Sequence, residues 1–460
     1  MNLIKEYYKK FKTFIENNNL IQENDKIVIA VSGGYDSVAL LLFFYYLTKE
    51  KNIKILTAHL NHNIRKGDAE KDMAFVKELS EILNIEFAGE TLDIPELRKS
   101  VKGKSPEEFA REKRYEFLQK VCKQRNFTRI ATAHHLDDNV ETFFLNMLTG
   151  TGLNGLTGIP VKIKNIIRPL LQFRKKELVE FVEACGFTAR TDLTNFDNNI
   201  PRNWIRNTLF PVIEKQFKSF KNKINTLIDI IENENEFIQN YVNEILKNIL
   251  YSYGISIRKD LFLSQSVAVK RRVVYFILKK LNINNIDYRM INEILNIMEL
   301  ERDTYRYNDI IIWNYNDMLY FTLDSENSFS YNITSQNEIE INPLGYKVRK
   351  KIVNKKVDNY KKSCIYINDK EIKKIVIRSR KEGDTIKLMN TDYRKSLKKL
   401  FIDLKIPKIL RNLVPVVEVN NEVAGIFLNF KPINMLNRIS EEYKISSNSD
   451  KTIILEFEEV

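Results

Sequence analysis

The chain has 460 residues, of which 43% are hydrophobic and 11% aromatic, and its formal net charge is +13. This length is typical of roughly three domains, and the apolar content excludes a mostly disordered protein. The three cysteines, Cys122, Cys185 and Cys364, lie far apart and form no CxxC motif, which argues against disulfides and a cysteine-ligated metal.

The N-terminal segment is charged and amphipathic and lacks the apolar stretch of a signal peptide. The longest apolar run, residues 38–47, is too short for a membrane-spanning helix, which needs about 20 residues. We therefore expect a soluble, cytoplasmic protein with no membrane partner.

A hydrophobic segment at 27–31 runs into the motif Ser-Gly-Gly-Tyr-Asp-Ser at 32–37, and an apolar helical pattern follows. A strand, a glycine turn and a helix start together bind anions through backbone amides and the helix dipole. An ordinary strand-to-helix turn is the alternative. Asp36 would repel a phosphate unless a cation lay between them, which predicts Mg²⁺ at this carboxylate.

No lysine follows the glycines, so the motif is not the GxxxxGK[ST] loop of kinases and GTPases. It resembles the pyrophosphatase-type loop (PP-loop) of enzymes that cleave ATP to AMP and pyrophosphate. The resemblance implies that ATP is bound by the whole loop: Ser32, Gly33, Gly34, Tyr35, Asp36 and Ser37.

Residues 26–190 alternate short β-rich runs with helical patterns. This alternation predicts an α/β fold with a doubly wound parallel sheet, whose ligands lie at the carboxyl ends of the strands. The helical pattern at 105–125 places Arg111 and Arg114 on one face, where either could neutralise charge on a phosphoryl group. Ordinary surface salt bridges are the alternative for both.

All four histidines lie between positions 59 and 135, in two clusters that each close a predicted strand. After the second cluster a helix is predicted from about residue 137, with His134, Asp138 and Glu141 on one face. Carboxylates near a phosphate loop can hold Mg²⁺ or a cationic substrate, such as the ammonium group of an amino acid. Helix-capping acids, worth a few tenths to about one kcal/mol, are the alternative. The set lacks the thiolates and the HExxH spacing of a zinc site.

The pattern changes near residue 213. Residues 213–340 predict a mainly helical middle domain with a strand-like pair at 303–323, and their net charge is −3. Residues 341–460 predict a small α+β domain that carries +11 of the net +13. A domain this basic, with interleaved aromatic residues, suits a phosphate backbone, and a solvated charged face or a membrane surface is the alternative.

Further segments extend the resemblance from the loop to one family. They lie at 58–65, 110–117, 134–143, 150–156, 167–171, 192–206, 377–388 and 407–417. Together with the loop they resemble the tRNA(Ile)-lysidine synthetase family, in family order. The match covers most of 26–212 and much of 375–430.

The resemblance implies ATP-dependent ligation of L-lysine to C2 of the wobble cytidine in the CAU-anticodon tRNA(Ile), through an adenylated cytidine. The product, lysidine, pairs with A instead of G and changes the tRNA from methionine to isoleucine identity. The implied domains are a PP-loop ATP pyrophosphatase catalytic domain at 1–212, a mainly helical middle domain at 213–340 and a basic tRNA-binding domain at 341–460.

The resemblance and the charge pattern also assign residues. The catalytic set is Asp36, Arg114, His134, Asp138 and Glu141. Lysine binding falls to Asp138 and Glu141, metal binding to Asp36, and Arg111, Asp137 and Arg206 are secondary candidates for the site. The tRNA-binding set is Arg206, Arg378, Arg380, Arg394, Lys395, Lys398 and Lys399.

Two other functions stay open at this point. A tRNA thiolase shares the loop but uses paired or reactive cysteines, which this chain lacks. A small-molecule ATP-dependent amide or amidine synthetase would not need the basic C-terminal region. A homodimer is also left open.

Overall fold

The structure is a computed structural model that describes residues 2–63, 68–98, 103, 106–190, 198–252, 254–298, 304–324, 328–354, 360–369, 372–445 and 451–459. The chain divides into two compact units, Met1–Phe237 and Ile238–Val460. No helix in the described part of the chain is long and apolar enough to cross a membrane.

A six-stranded sheet forms the centre of the first unit. Its strands are β1 (Lys26–Ala30), β2 (Lys54–Asn61), β3 (Glu86–Thr91), β4 (Arg129–Ala131), β5 (Lys162–Ile163) and β6 (Ile166–Ile167). They lie in the order β3-β2-β1-β4-β6-β5, and all pairs are parallel except β5 with β6. The predicted parallel α/β sheet is confirmed, and its strand order reverses between β1 and β4.

Helices cover both faces of this sheet. They are α1 (Asn2–Asn17), α2 (Tyr35–Leu47), α3 (Asp68–Ile82), α4 (Ile94–Arg98), α5 (Pro106–Gln124), α6 (Leu136–Thr149), α7 (Leu153–Leu156), α8 (Lys175–Ala184), α9 (Pro201–Trp204) and α10 (Phe210–Gln216). Ile27 and Ile29 of β1 belong to the core formed with α1, α2 and α8. Val28, between them, belongs to the core formed with α5. The strand therefore alternates between two apolar layers, which is why β1 reads as a continuous hydrophobic run.

Helix α11 (Phe220–Leu246) leads into the second unit, which begins with a five-stranded antiparallel sheet. The strands are β7 (Leu250–Ser252), β8 (Gly254–Arg258), β9 (Thr304–Tyr307), β10 (Ile310–Tyr315) and β11 (Met318–Leu323). The order is β7-β8-β11-β10-β9. The helices α12 (Lys259–Leu263), α13 (Val267–Lys280) and α14 (Tyr288–Met298) lie between β8 and β9 in the chain.

The rest of the second unit is mainly antiparallel sheet, as the β-rich sequence predicts. Its elements are β12 (Ser330–Asn332), β13 (Glu338–Ile341), β14 (Tyr346–Val353), β15 (Cys364–Asn368), β16 (Ile375–Arg378), β17 (Thr385–Lys387), β18 (Arg394–Ser396), α15 (Leu397–Asp403), β19 (Val416–Val419), β20 (Glu422–Ile426), β21 (Arg438–Ile439) and β22 (Thr452–Glu459). One apolar core joins residues between 311 and 333 to residues between 339 and 457. The domain boundary at 340 stays a prediction, and a cut there would divide this core.

Two details of the middle region differ from the sequence prediction. Helix α11 ends at Leu246, and the next residues form the β7–β8 hairpin, which the mainly helical prediction for 213–340 does not include. Gly254 adopts φ +83°, and a Cβ there would lie 2.4 Å from the carbonyl oxygen of Phe321. The hairpin therefore depends on a glycine that a helical pattern does not reveal. The strand-like pair at 303–323 is three strands, β9 to β11.

Candidate active site

The predicted phosphate loop joins β1 to α2. Gly33 adopts φ +97°, which a glycine tolerates and most side chains do not. Gly34 caps α2 without a side-chain hydrogen bond, so the N-terminal end of the helix remains available to an anion. Ser32 is exposed at the edge of the loop, and Tyr35 is partly buried against the core.

Ser37 stabilises the loop from inside. Its buried hydroxyl accepts hydrogen bonds from the backbone amides of Ser32 and Gly33, at 3.1 and 3.2 Å, and donates to the Gly34 carbonyl at 2.9 Å. Ser37 therefore shapes the turn, and its hydroxyl is already satisfied by the backbone.

Asp36 lies at the start of α2 among positive groups. Its Oδ2 is 3.0 Å from the Lys175 ammonium nitrogen and 3.6 Å from His135 Nε2. Burial alone would raise the pKa of this carboxyl, but His135 and Lys175 outweigh it and lower the pKa to about 2. Its Oδ1 is buried without a hydrogen-bond partner among the described residues. Asp36 is thus ionised and has one oxygen free to bind a cation.

His135 connects the loop to the acidic helix α6. It is the N-cap of α6, and its Nε2 lies 3.6 Å from a carboxylate oxygen of Asp138 as well as 3.6 Å from Asp36. Burial would lower the pKa of His135, but Asp138, Asp36 and Asp137 raise it to about 9. The Asp138 amide donates to Nδ1 over a long 3.4 Å, and this bond competes with protonation because only an unprotonated nitrogen accepts it. No role for this histidine was predicted from the sequence.

We expect His135→Gln to destabilise the fold in a pH-dependent way. A pKa raised from 6.5 to about 9 corresponds to roughly 3 kcal/mol. Because the folded pKa is the higher one, this stabilisation is complete below about pH 6.5 and is lost as the pH rises through about 9. Urea unfolding of both proteins at pH 6 and pH 10 measures it. A difference in the free energy of unfolding that is equal at both pH values would contradict the assignment.

His134, Asp138 and Glu141, here called the acid–histidine stripe, lie at and just before the start of α6 as predicted. Both carboxylates of this stripe are already paired. Arg206 donates to both Glu141 oxygens, at 2.6 and 2.8 Å, and lies 3.5 Å from Asp138. Arg202 Nε lies 3.3 Å from Glu141, and its Nη2 donates to Thr142 Oγ1 at 2.5 Å. Arg206 therefore lies in the acidic pocket, and its assignment to tRNA binding stays a prediction.

The surroundings of Glu141, Asp138 and His134 shift their pKa values in different ways. Burial raises the pKa of Glu141 despite the two arginines. The pKa of Asp138 is lowered, because His135, His134 and Arg202 outweigh its burial. Burial lowers the pKa of His134, which is neutral at pH 7, and its Nδ1 lies 3.0 Å from Thr132 Oγ1.

Arg111 and Arg114 of α5 lower the pKa values of different histidines. Burial first, and then the Arg114 charge, lower the pKa of His62 to about 4. The pKa of His59 is lowered in the same way, while its Nδ1 lies 2.8 Å from the Val31 carbonyl beside the loop. Arg111 adds to the lowered pKa of His134. Arg114 is thus close to the ends of β1 and β2, and Arg111 is closer to the stripe.

Asp137 has a structural position. It accepts from the Lys221 ammonium at 2.7 Å and from the Lys175 amide at 2.9 Å, and thereby ties α6 to the starts of α8 and α11. Lys175 and Arg202 were both missed by the sequence analysis. Nothing in the spacing reveals them, because they reach the site from 139 and 61 residues beyond Asp36 and Glu141.

The structure argues against one residue of the predicted tRNA-binding set, Arg378. Arg378 is 3% exposed and pairs with Asp384 at 2.8 Å and Glu418 at 2.6 Å, so its guanidinium is used inside the fold. A basic run in a strand contains inward-facing positions, and net charge does not show which ones they are.

The other predicted tRNA-binding residues of the second unit remain at the surface. Arg380 is half-buried and donates to Asn412. Arg394 pairs with Glu442 at 2.8 Å, and Lys395 pairs with Asp403. Lys398 and Lys399 are exposed on α15. Residues 64–65 and 192–197 of the family-like segments lie outside the described residues.

Comparisons with known proteins identify relatives of two separate parts of the chain and of the chain as a whole. Residues 3–213 match the model of a PP-loop domain, and residues 375–430 match that of a TilS substrate C-terminal domain. A tRNA(Ile)-lysidine synthase from Clostridioides difficile is 33% identical over 98% of this chain and 99% of its own. The enzyme of the same name from Caldanaerobacter subterraneus is 31% identical over 96% of each chain.

Solved structures are more distant. A U34-tRNA thiolase from Methanococcus maripaludis is 20% identical, with a TM-score of 0.41 over 50% of this chain and 79% of its own. A TilS C-terminal domain is 18% identical, with a TM-score of 0.22 over 29% of this chain and 98% of its own.

Proposed function

The chain belongs to the tRNA(Ile)-lysidine synthase family, and from this premise we propose that it ligates L-lysine to C2 of the wobble cytidine of CAU-anticodon tRNA(Ile), with ATP as the second substrate. One observation carries the proposal. His135 lies 3.6 Å from both Asp36 of the phosphate loop and Asp138 of the acidic stripe. Phosphate chemistry and ammonium binding thus share one pocket, between β1 and β4 where the strand order reverses.

We propose that Asp36 contributes a ligand for Mg²⁺, which would neutralise triphosphate charge when bound. The free, buried Oδ1 fits this role. The described residues contain no group of three or more His, Cys, Asp or Glu side chains able to hold a metal. Mg²⁺ is usually held by one or two carboxylates together with substrate phosphates and water, so a single loop carboxylate can be the protein's share of the site. Lys175, whose ammonium lies 3.0 Å from Asp36, is placed at the loop to contact the departing pyrophosphate.

The proposed reaction has two steps. The cytosine C2 oxygen attacks the α-phosphate, and pyrophosphate leaves at the loop while Arg114 neutralises developing charge. The ε-amine of lysine then attacks C2 of the adenylated cytidine and displaces AMP. The proton that this amine loses passes to water, and His134, which burial keeps neutral, remains a hydrogen-bonding group of the pocket.

We propose that Asp138 and Glu141 bind lysine. Because Arg206 occupies Glu141 with two hydrogen bonds, an incoming ammonium group must compete with a guanidinium for that carboxylate. Asp138 lies farther from Arg206, at 3.5 Å, and has more free capacity to accept hydrogen bonds. Lysine affinity therefore depends on the arginines as well as on the acids.

Replacing the four cations at 394, 395, 398 and 399 with glutamine should weaken tRNA binding. Each phosphate neutralised by Lys or Arg steepens the salt dependence by roughly 0.7 to 0.9 units, so the slope should flatten by up to about three units. Titration of tRNA binding across salt concentrations measures this slope. Identical slopes for wild type and variant would show that these residues form a solvated face.

ATP–pyrophosphate exchange with and without tRNA separates the proposal from its alternatives. We expect exchange only when a CAU-anticodon tRNA(Ile) transcript is present, because the cytidine is the group that becomes adenylated. Exchange without RNA would favour a small-molecule synthetase. The proposed function places the protein in the cytoplasm, and a homodimer stays a prediction for sedimentation of the full chain to test.

A further inference from the structure

Helix α13 (Val267–Lys280) has a basic face. The negative net charge of the middle region hides it. The helix carries five basic residues and no acidic one. Residues 281–340 carry eleven acidic and three basic residues, and residues 220–246 carry five acidic and two basic ones, which is why residues 213–340 still sum to −3. The middle region therefore contains a strongly basic helix despite its negative total.

The two faces of α13 are sharply different. Its apolar residues pack in the core of the second unit, together with α14: Val269, Val273, Val274, Ile277 and Leu278. At 100° per residue, Arg271, Arg272, Tyr275 and Lys279 fall on the opposite side. Three of the five basic residues thus form one outward stripe with a tyrosine inside it, while Lys270 and Lys280 fall on the apolar side of the helix.

A second tyrosine extends this stripe. Tyr288 is 66% exposed, and the Arg271 guanidinium lies 4.7 Å from the centre of its ring. Arg271 Nε also donates to Asn292 Oδ1 at 2.9 Å, which fixes the guanidinium. Tyr275 is 42% exposed, and the Lys279 ammonium lies 5.8 Å from its ring. Two exposed aromatic rings therefore stand beside two cations.

The lysines of this helix are not neutralised by the protein. Within the described part of the chain, Lys279 and Lys280 form no ion pair with a carboxylate, whereas Arg394 and Lys395 of the predicted tRNA-binding set both do. A cation without a carboxylate partner contributes its full charge to an anionic ligand, because no internal pair has to be broken.

We propose that the outward face of α13, together with Tyr288, is an RNA-binding surface. Arg271, Arg272 and Lys279 contact phosphates, and the exposed tyrosines stack on unpaired bases or riboses. A membrane is the less suitable partner, since an interfacial helix buries an exposed apolar face and the apolar face of α13 is already in the core. The inference rests on the proposed function for the choice of tRNA as the RNA.

The test compares two triple variants that remove the same charge. One is Arg271→Gln/Arg272→Gln/Lys279→Gln. The control is Arg258→Gln/Arg289→Gln/Arg306→Gln, whose arginines pair with Asp260, Glu293 and Asp324 in the same unit. The probe is an unmodified tRNA transcript with a CAU anticodon, titrated across salt concentrations. The α13 variant should flatten the salt slope by about two to three units, and the control by less than about one unit.

Stability and function are measured separately. Thermal unfolding identifies loss of fold, and Lys279→Gln alone, at the exposed end of the helix, should flatten the slope by about 0.7 to 0.9 units without touching the core. Equal salt slopes of tRNA binding for the α13 and control variants would contradict the proposed RNA-binding surface. Loss of binding to phosphatidylserine vesicles, with tRNA binding unchanged, would overturn the choice of RNA. If wild type binds tRNA with this salt dependence but forms no lysidine, the proposed function fails and the surface stands.

Discussion

Asp36→Ala is expected to abolish AMP formation while tRNA binding persists. The carboxylate lies in the phosphate loop with one oxygen free for a cation, and it holds Lys175 at 3.0 Å. Removing a group that stabilises transition-state charge typically costs about 10²–10³ in rate. Release of AMP and pyrophosphate in saturating Mg²⁺, with tRNA present, measures the loss.

Asp25→Asn is the control for this variant. Asp25 pairs with Arg129 at 2.8 Å beside the amino ends of β1 and β4, away from the loop. We expect it to lower the melting temperature and to leave the rate near wild type. A turnover of Asp36→Ala within a few-fold of wild type would show that the loop assignment is wrong.

Asp138→Asn and Glu141→Gln are expected to raise the KM for lysine far more than the KM for ATP. The amides keep the shape of the carboxyls but lose the charge that pairs with an ammonium group. Glu141→Gln also removes the carboxylate that Arg206 and Arg202 share and leaves only Asp138 near Arg206, so this variant is expected to lose stability as well. Asp138→Asn is therefore the cleaner variant for kinetics.

Kinetics in each substrate decide the role of the stripe. Glu116→Gln, which removes an exposed carboxylate paired with Lys113 on α5, is the control and should change neither KM. An unchanged KM for lysine in both stripe variants would indicate that these carboxylates cap the helix or balance Arg206 and Arg202.

The local parts of the site were predictable from the sequence. The glycine turn after β1 and the acidic start of α6 each depend on residues that are close in the chain, so spacing and helical periodicity reveal them. The parallel sheet was predictable for the same reason. Alternating apolar runs and helical patterns leave few other topologies.

The parts that depend on tertiary contact were not predictable. Lys175 meets Asp36 because α8 begins at the same edge of the sheet as the phosphate loop, and no spacing encodes that meeting. Arg202 and Arg206 reach Glu141 from a segment that includes a π-helical turn at Ile205–Leu209, a rare geometry that is frequent at functional sites. The acids of the pocket were therefore predictable from the sequence, but the arginines that pair with them were not.

Charge totals were the weakest guide. The total of +11 for residues 341–460 includes Arg378, which is buried between two carboxylates. The total of −3 for residues 213–340 conceals the basic face of α13. The neighbours of each cation in the fold decide whether it can bind RNA. The summed charge of a segment does not show this.

Transfer of labelled lysine tests the central claim most directly. The protein is incubated with ATP, Mg²⁺, labelled L-lysine and an unmodified tRNA(Ile) transcript with a CAU anticodon, and the tRNA is digested to nucleosides. The account predicts one labelled lysine per tRNA, attached to the wobble cytidine, with one AMP and one pyrophosphate released for each. Label that enters no nucleoside, or that appears without ATP, would contradict it.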